Sequence, residues 1–425
     1  MKQHLWITVL AGLRDFHRNN SLNMELRSEL VQIQVLRLKG QTGAALLNAK
    51  RLLTKCERIE AFTIGYQALE QMEAIYISIG ESSIEMDESW ESLYQKKGLM
   101  LGQLATIDGM RTIERELIQL TIRHGITSRT TLDSKIDRQL LDIENQLKSM
   151  ELADNSVFDA QFRYYQAQAT IGRIRLDHNR ELAGFTKVIG LLDANPLITS
   201  RFYRDFYAVA LHNLINASLF ARKLDSVPDL LDQLEKEASE PEHIRIRNFS
   251  FLTHDRLVYL RLSEHYQEGF NYWNLISESP ILPQLNVDER ASIEINGAVL
   301  SFWNGRISEA LSITRKLTEP GAQHETLNAS RLLNLLCNFE LSDMDHLEHL
   351  TRSYNRIWLA DSSANRLELL MIESFQKIIS SRELKPDWAT MSTKAQQISK
   401  LPSEQNKLFS FNLLRYLDQK QLLKT

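Results

Sequence analysis

The sequence predicts an all-α fold of about twenty helices joined by short loops. Apolar residues recur at the helical period along almost the whole chain, as in the stripe of Leu22, Leu26 and Leu30. No alternating run of Val, Ile and Thr bounded by hairpin turns is found, so β-strands are not expected. All eight prolines lie between Pro196 and Pro402, so the first half of the chain can hold long uninterrupted helices.

The composition is that of an ordinary globular protein. Hydrophobic residues make up 43% of the 425 residues and charged residues 24%, which argues against disorder. This length predicts either two or three domains or one extended repeat array. The formal net charge of -4 argues against a broad phosphate-binding surface. The two cysteines, Cys56 and Cys337, show no pairing motif, which suits a reducing compartment.

The N-terminal segment is expected to form an amphipathic helix. Lys2 followed by an apolar run from Leu5 to Leu13 imitates a weak signal peptide, which is the alternative interpretation. Charge returns at Arg14 and Asp15, however, and the apolar positions keep helical spacing. No stretch approaches the roughly 18 apolar residues that a membrane span needs. We therefore expect a cytoplasmic protein that does not span a membrane.

The stretch AVLSFWNGRISEALSITRKLTEP, residues 298–320, predicts a helical hairpin. One helix covers Ser292–Trp303, Gly305 occupies the turn, and Ile307–Leu317 forms the return helix. Glycine supplies the permissive backbone that a tight reversal needs. Ala310 is small where the two helices approach most closely, and Pro320 ends the second helix. Such helices cannot bury their apolar faces singly, so the hairpins are expected to stack.

The five-residue spacing between the turn glycine and the small residue resembles the tetratricopeptide repeat (TPR). Gly40 and Ala45 have the same spacing. The resemblance implies a right-handed α-α superhelix, a solenoid of stacked antiparallel helix pairs, over about two thirds of the chain. The repeat's aromatic, small, aromatic and proline positions are matched by Tyr266, Gly269, Trp273 and Pro280.

The repeat is degenerate in length. The equivalent small positions are interpreted as Ala183, Leu230, Gly269 and Ala310, which lie 47, 39 and 41 residues apart. The standard repeat has about 34 residues, so these helices are expected to be longer than standard ones.

The ends of the chain resemble a narrower group, uncharacterised bacterial TPR-like proteins. The resemblance lies in the opening helix KQHLWITVLAGLRDFH and in the closing helices, residues 338–358 and 408–420. Those proteins carry further sequence before that opening helix, so the resemblance implies an N-terminally shortened chain. The group brings no activity, cofactor or site. We expect an N-terminal helical-repeat segment over residues 1–151, continuous with a TPR-like segment over residues 152–425.

Motifs for enzymatic chemistry are absent from the sequence. It has no P-loop, dinucleotide-binding motif, zinc-protease motif or nucleophile elbow. His346 and His349 in DMDHLEHL could share a metal ion, but a zinc site needs a third protein ligand. Cys56 lies beside Lys55 without an evident base. We predict a non-enzymatic protein with no catalytic residue, metal or cofactor; a metal-dependent hydrolase is the weakest alternative.

Aromatic and basic residues are interleaved in residues 158–168, 200–207 and 243–251. Such mixtures can stack on single-stranded nucleic acid. Aromatic residues at helical spacing are more often packed between repeats, and the chain is acidic overall. We therefore predict no nucleic-acid partner.

A series of arginines predicts a binding groove. Counting eight residues back from Ala45, Ala183, Leu230 and Gly269 gives an arginine each time, near the end of the first helix of a pair, whereas Ala310 gives Phe302. Guanidinium groups pair with carboxylates, so an acidic or C-terminal peptide would suit such a groove. The alternative is that each arginine only meets the negative end of its helix dipole. The candidate groove residues are Arg37, Arg175, Arg222 and Arg261, with Tyr165, His212, Phe251 and His254 at other inward positions.

The sequence thus favours a scaffold or adaptor that binds a protein or peptide, acidic in character, on the concave face of its repeats. The alternative is a regulatory sensor domain whose effector module lies on missing N-terminal sequence or on another chain. The oligomeric state and the identity of the partner stay open at this point.

Overall fold

The computed structural model describes residues 22–79, 90–124, 134–150, 157–237, 242–323, 326–360, 366–381, 387–401, 404 and 410–422. Every regular element in these residues is helical, which confirms the all-α prediction. None of the helices in these ranges is long and apolar enough to cross a membrane. The predicted N-terminal helix and the predicted boundary between residues 151 and 152 lie outside the described residues.

The described residues form eighteen α-helices, α1–α18, each at least ten residues long. Helices α1–α8 are Leu22–Leu38, Thr42–Arg58, Phe62–Ile79, Trp90–His124, Ser134–Ser149, Phe158–Ile174, His178–Ala194 and Arg204–Phe220. Two short turns, Pro196–Ile198 and the π-helical Thr199–Tyr203, lead into α8. Helices α9–α18 are Val227–Lys236, Glu242–Leu262, Tyr266–Ser277, Val287–Trp303, Ile307–Leu317, Leu327–Glu340, Met344–Ala360, Arg366–Ser381, Trp388–Ile398 and Leu413–Leu422.

The chain divides into two compact units that interleave along the sequence. Unit 1 comprises the described parts of Met1–Gln119, Leu140–Gln168 and Lys187–Tyr207. Unit 2 comprises the described parts of Leu120–Gln139, Ala169–Thr186 and Ala208–Thr425.

Unit 1 contains a group of three helices, α1, α2 and α3, in which every pair of helices is in contact. Leu52 and Met72 are fully buried in its core. Ala45, the small residue that the sequence places on the second helix of a pair, is also fully buried. The first predicted hairpin therefore has a packed interior with a small residue at the expected position.

In unit 2, each helix from α9 to α18 packs against the next helix along the chain. The first helices of successive pairs also pack together, α10 against α12 and α12 against α14. One core cluster extends from Ala291 in α12 to Leu417 in α18 and includes the buried Trp358 and Phe375. Hairpins that share a continuous apolar core are the TPR-like arrangement that the sequence predicts.

The hairpin α12–α13 is the one predicted from residues 298–320. Helix α13 has the predicted bounds Ile307–Leu317, and α12 ends at the predicted Trp303 but begins earlier, at Val287. Gly305 has a φ of 77°, the left-handed conformation that ends many helices. Ala310 is fully buried. Gly305 therefore supplies the left-handed backbone of the turn, and Ala310 supplies the small side chain where the two helices pack, as the five-residue spacing predicts.

Two glycines allow neighbouring helices to approach closely. A Cβ atom at Gly297 of α12 would lie 2.2 Å from Cδ2 of the Trp273 ring on α11. A Cβ atom at Gly269 of α11 would lie 2.5 Å from Cδ2 of Leu300 on α12. Trp273 and Gly269, two of the TPR-like positions in the sequence, thus form the contact surface between α11 and α12.

Seven helix ends in the described part of the chain share one backbone turn. In each, a residue with positive φ donates its N–H to the carbonyl three residues earlier, and the next residue donates to the carbonyl five residues earlier. This is the Schellman motif, which satisfies carbonyls that a helix end leaves unpaired. Only two of the seven residues are glycines, although other residues adopt this conformation at a cost of about 1–2 kcal/mol. The left-handed residues are Gly40, Glu60, Leu176, Arg222, Glu264, Gly305 and Ser342.

Candidate functional site

Helix α10 and the part of α8 that belongs to unit 2, residues 208–220, carry polar and aromatic side chains that meet. On α8, His212 and Asn216 are one helical turn apart. Residues spaced three, four or seven apart share one helix face, so α10 presents a stripe toward them. That stripe consists of Phe251, His254, Asp255, Val258 and Arg261.

Asp255 joins the two helices. Its carboxylate is fully buried and accepts a hydrogen bond of 2.8 Å from His212 Nδ1. It accepts two more, from His254 Nδ1 and from Asn216 Nδ2, both at 3.1 Å. A buried carboxylate is costly unless hydrogen-bonded, and these three donors offset that cost.

The histidines hold Asp255 in its charged form. Burial alone raises the pKa of Asp255, because removal from water disfavours the carboxylate. The charge and hydrogen bond of His212, together with those of His254, outweigh burial and keep the pKa of Asp255 below its ordinary value. Asp255 is therefore a fixed carboxylate held by two imidazole rings.

His212 also stacks on Phe251. The two ring centroids are 4.0 Å apart and the ring planes are within 6° of parallel. The Arg247 guanidinium lies 5.9 Å from the Phe251 ring centroid. The side chains of His212 and His254 are 21% and 23% exposed, so both remain partly accessible to solvent.

A cavity of about 210 Å³ adjoins this cluster. Helices α8, α10 and α12 form most of its wall, so residues from three successive first helices meet there. Its lining consists of Asn216, Phe220, His254, Val258, Arg261, Ser292, Ile295, Asn296, Thr326 and Ser410.

Arg261 places a positive charge in the wall of this cavity. The residue is only 5% exposed. Its Nε donates a hydrogen bond of 3.0 Å to Asn296 Oδ1, and its Nη1 donates one of 3.1 Å to the Ser410 carbonyl. Burial, and secondarily the positive charge of Arg222, lower the pKa of Arg261. The guanidinium is thus held in a poorly solvated place, where an anion would be favoured.

The four predicted arginines do not share one position in the turns. Arg37 and Arg261 each lie three residues before the left-handed residue, which is Gly40 in the first case and Glu264 in the second. Arg175 lies one residue before its left-handed residue, and Arg222 is itself left-handed with a φ of 57°. The single register expected from the sequence is therefore corrected at two turns.

The two turns depart from the register for different physical reasons. The turn after Arg222 is longer than the others, and the turn after α6 is followed by a polar residue where other hairpins have a small one. After six of the seven turns the next helix begins two residues past the left-handed residue, but α9 begins five past Arg222. At the turn after α6, the structural equivalent of Ala45 is Glu181, two residues before Ala183. Glu181 is 2% exposed and accepts a hydrogen bond of 2.7 Å from Arg173 Nε. Arg173, not Arg175, is therefore the equivalent of Arg37.

The eight predicted groove residues are divided between the units. Arg37 and Tyr165 belong to unit 1, where both are half-buried. In unit 2, Arg175 forms an ion pair of 2.9 Å between its Nη1 and Asp137 Oδ1. The other five predicted residues lie in or beside the cluster and its cavity, namely Arg222, Arg261, His212, Phe251 and His254.

Sequence reasoning missed Asp255, Asn216 and Asn296, which supply the hydrogen bonds of the site. Asn216 follows the predicted His212 by one turn, and Asp255 is adjacent to the predicted His254. Polar residues at core positions of an amphipathic helix were the available signal. Their partners on other helices could not be read from the sequence, because 35 to 43 residues separate those positions.

Unit 1 contains a larger cavity, of about 580 Å³. Three of its charged residues contact one another: Asp159 lies 3.1 Å from Arg163 Nε and 3.3 Å from Arg111 Nη2. Glu60 accepts a hydrogen bond of 2.7 Å from the backbone N–H of Phe158. None of the eight predicted residues lines this cavity. These contacts give it a structural role in joining helices.

The structure also describes the cysteine and the histidine pair that the sequence offered as candidates for chemistry. Cys56 is fully buried, and burial raises the pKa of its thiol to about 12. The rings of His346 and His349 have centroids 6.4 Å apart. Within the described ranges, no group of three His, Cys, Asp or Glu side chains could hold a metal ion.

Two solved structures are among those to which the chain is similar. No protein-family model matches the chain, and no curated protein matches it. The structure titled "Crystal Structure of the Apo Form of RapI" is 11% identical over 87% of this chain and 97% of its own, with a TM-score of 0.45. The "Crystal Structure of P58(IPK) TPR Domain" is 11% identical over 94% of this chain and 99% of its own, with a TM-score of 0.22. At these values the similarities assign neither an activity nor a partner.

Proposed function

We propose that the chain is a non-enzymatic helical-repeat scaffold or adaptor that binds a protein or peptide segment. The observation that supports this proposal is the convergence of α8, α10 and α12 on one cavity in unit 2. A partly exposed stack of His212 on Phe251 lies beside that cavity, and a buried guanidinium lies in its wall. Because packed helices hold these groups in place before binding, little ordering entropy is lost when a partner binds.

An acidic partner suits this surface best. Arg222 and Arg261 lie close enough for the charge of Arg222 to lower the pKa of Arg261. The one carboxylate of the cluster, Asp255, is fully buried and accepts three hydrogen bonds, so its charge is largely compensated. An incoming carboxylate therefore meets a locally positive surface, and bidentate pairing with guanidinium adds direction to the attraction.

The remaining groove candidates extend the proposal along the chain. Arg37 and Tyr165 in unit 1 are kept as further contacts for the same class of partner. Arg175 is kept as well, with its ion pair to Asp137 as the contact that a partner's carboxylate would replace. A cytoplasmic location is also proposed, because both free cysteines, Cys56 and Cys337, are buried thiols.

A random-peptide library displayed with free carboxyl termini tests this function. The full chain is immobilised, enriched peptides are sequenced, and a synthetic consensus peptide is titrated by fluorescence anisotropy. We expect enriched peptides to be acidic and to bind in a saturable manner. Failure to enrich any sequence over a chain-free surface would overturn the proposal.

The Arg222→Glu variant tests the place of binding. Glutamate already occupies the same left-handed position at Glu60 and Glu264, so the backbone accepts it. We expect this variant to bind the consensus peptide about tenfold more weakly or worse, because a charged hydrogen bond is lost and repulsion is added. Arg245→Glu, an exposed change near the start of α10, is the matched control and should leave binding within about twofold. Equal binding by all three proteins would contradict the proposed site.

A further inference from the structure

We propose that the cavity formed by α8, α10 and α12 binds a carboxylate group attached to a small aliphatic group. Two kinds of ligand carry such a group: a free short-chain carboxylic acid and the C-terminal residue of a peptide. The inference goes beyond the proposed scaffold function, because it needs only the cavity and its lining.

The polar part of the lining identifies the carboxylate. Arg261 is 5% exposed, lines the cavity, and is oriented by its hydrogen bonds to Asn296 and to the Ser410 carbonyl. His254 also lines the cavity, with Nδ1 engaged by Asp255. Hydrogen bonds to a guanidinium in a poorly solvated place are stronger than those at a surface.

The charges around the cavity have the right sign for an anion. Burial of Arg261 is costly, and the nearby Arg222 adds to that cost by repulsion. A ligand carboxylate would offset both effects. Among the described residues, the titratable groups at this place include Arg222, Arg261, Tyr266, His254 and Asp255, and the carboxylate of Asp255 accepts hydrogen bonds from His212, His254 and Asn216.

The apolar part of the lining identifies the aliphatic group. Phe220, Val258 and Ile295 line the same cavity as Arg261, and Val258 and Ile295 are 1% and 4% exposed. A volume of about 210 Å³ accommodates a carboxylate together with a short branched side chain. The lining, with apolar side chains and a buried guanidinium, therefore fits a small acid that carries one aliphatic group.

Two matched pairs of probes test this inference on the full chain by saturation-transfer NMR and isothermal titration. N-acetyl-L-leucine is compared with N-acetyl-L-leucinamide, and 3-methylbutanoate with 3-methylbutanamide. Each amide keeps the shape of its acid but lacks the charge. We expect each acid that enters the cavity to bind about tenfold more tightly than its amide. Binding of 3-methylbutanoate would identify a free acid as sufficient, and binding of N-acetyl-L-leucine alone would identify a peptide terminus.

Two variants of the lining test whether the acids bind in this cavity. Arg261→Met removes the charge but keeps a long side chain; it also removes the donor of the hydrogen bonds to Asn296 and to the Ser410 carbonyl. Ser292→Leu, a half-buried residue of the lining, fills the space and leaves Arg261 in place. Circular dichroism verifies that each variant is folded. We expect both variants to lose acid binding, and Ser292→Leu alone decides the outcome if Arg261→Met is unfolded.

The possible outcomes separate this inference from the proposed scaffold function. Equal binding of acid and amide, no binding of either acid, or unchanged acid binding in a folded variant would overturn the inference. Peptides selected from the library that bind equally well when amidated at the C-terminus would leave the scaffold function intact and remove the peptide terminus as a source.

Discussion

Asp255 Oδ2 and His212 Nδ1 are 2.8 Å apart and hydrogen-bonded across 43 residues of sequence. This contact ties α8 to α10 at the point where the cavity begins. The same histidine ring stacks on Phe251 at a centroid distance of 4.0 Å. One buried carboxylate therefore positions the aromatic and imidazole groups that make up the proposed binding surface.

Asp255→Asn is expected to lower the free energy of unfolding by about 3–5 kcal/mol at neutral pH, because it removes the charged partner of a buried, hydrogen-bonded cluster. Chemical denaturation of the full chain measures the change. Asp232→Asn, an exposed position on α9, is the control and should change stability by less than about 0.5 kcal/mol. Equal stability of the wild-type and Asp255→Asn proteins would show that the cluster does not join the helices.

The same variant has a predicted pH dependence. Since the pKa of Asp255 is lowered in the folded protein, its contribution to stability is present above the unfolded pKa, about 3.9 for Asp. That contribution is lost as the pH falls through the lowered folded-state pKa. The stability difference between wild type and Asp255→Asn should therefore be largest near neutral pH and should shrink below about pH 4. A stability difference that grows on acidification would contradict the lowered pKa of Asp255 in the folded protein.

Gly297→Ala is expected to destabilise the protein by about 1–2 kcal/mol. The added Cβ would overlap the Trp273 ring, and this overpacking outweighs the better helix propensity of alanine. Gly190→Ala is the matched change in α7, where an added Cβ meets no atom within 4 Å. It should stabilise the protein by up to about 1 kcal/mol. Urea titration that finds the same sign for both changes would contradict the close approach of α11 and α12.

Two substitutions in equivalent turns test the left-handed helix ends. Gly305→Ala should cost about 1–2 kcal/mol, because an L-residue is strained at a φ of 77°. Ser342→Gly, at the same position of the α14–α15 turn and exposed, should add about 0.5–1 kcal/mol by removing that strain. Thermal denaturation measures both. A neutral Gly305→Ala would mean that the turn has a different backbone conformation.

Cys56 and Cys337 are expected to be unreactive in the folded protein. Both are fully buried, and burial raises the pKa of each thiol, in the case of Cys56 to about 12. Thiolate is the reactive form, so little of it is present at pH 8. Titration with a chromogenic disulfide should detect no thiol in native protein and two after unfolding. Rapid labelling of the native chain would contradict the burial of these residues.

Much of the fold is predictable from the sequence because it rests on local patterns. Helical periodicity identified the helices, and Gly305 with Ala310 identified the α12–α13 hairpin. Five of the turns were harder to find, because Glu60, Leu176, Arg222, Glu264 and Ser342 take the left-handed position without being glycines. There the tertiary packing of the hairpin overrides the residue's own preference.

The candidate site was predicted only in part. His212, Phe251, His254 and Arg261 were found from their place on the first helices of the repeats. The arginine register failed at Arg175 because Glu181, a polar residue, occupies a position that is small elsewhere. It failed at Arg222 because the turn before α9 is longer than the others. Neither the glutamate at position 181 nor the longer turn before α9 changes the spacing of apolar residues within the helices. The periodicity of the sequence therefore could not reveal either departure.

Hydrogen–deuterium exchange of the full chain with and without a selected acidic peptide tests the central claim most directly. Binding at the proposed surface should slow exchange in Arg204–Phe220, Glu242–Leu262 and Val287–Trp303, the helices that form the cavity. Exchange in Thr42–Arg58 of unit 1 should stay the same, because the proposed cavity lies in unit 2. Protection confined to helices outside these three would contradict the account.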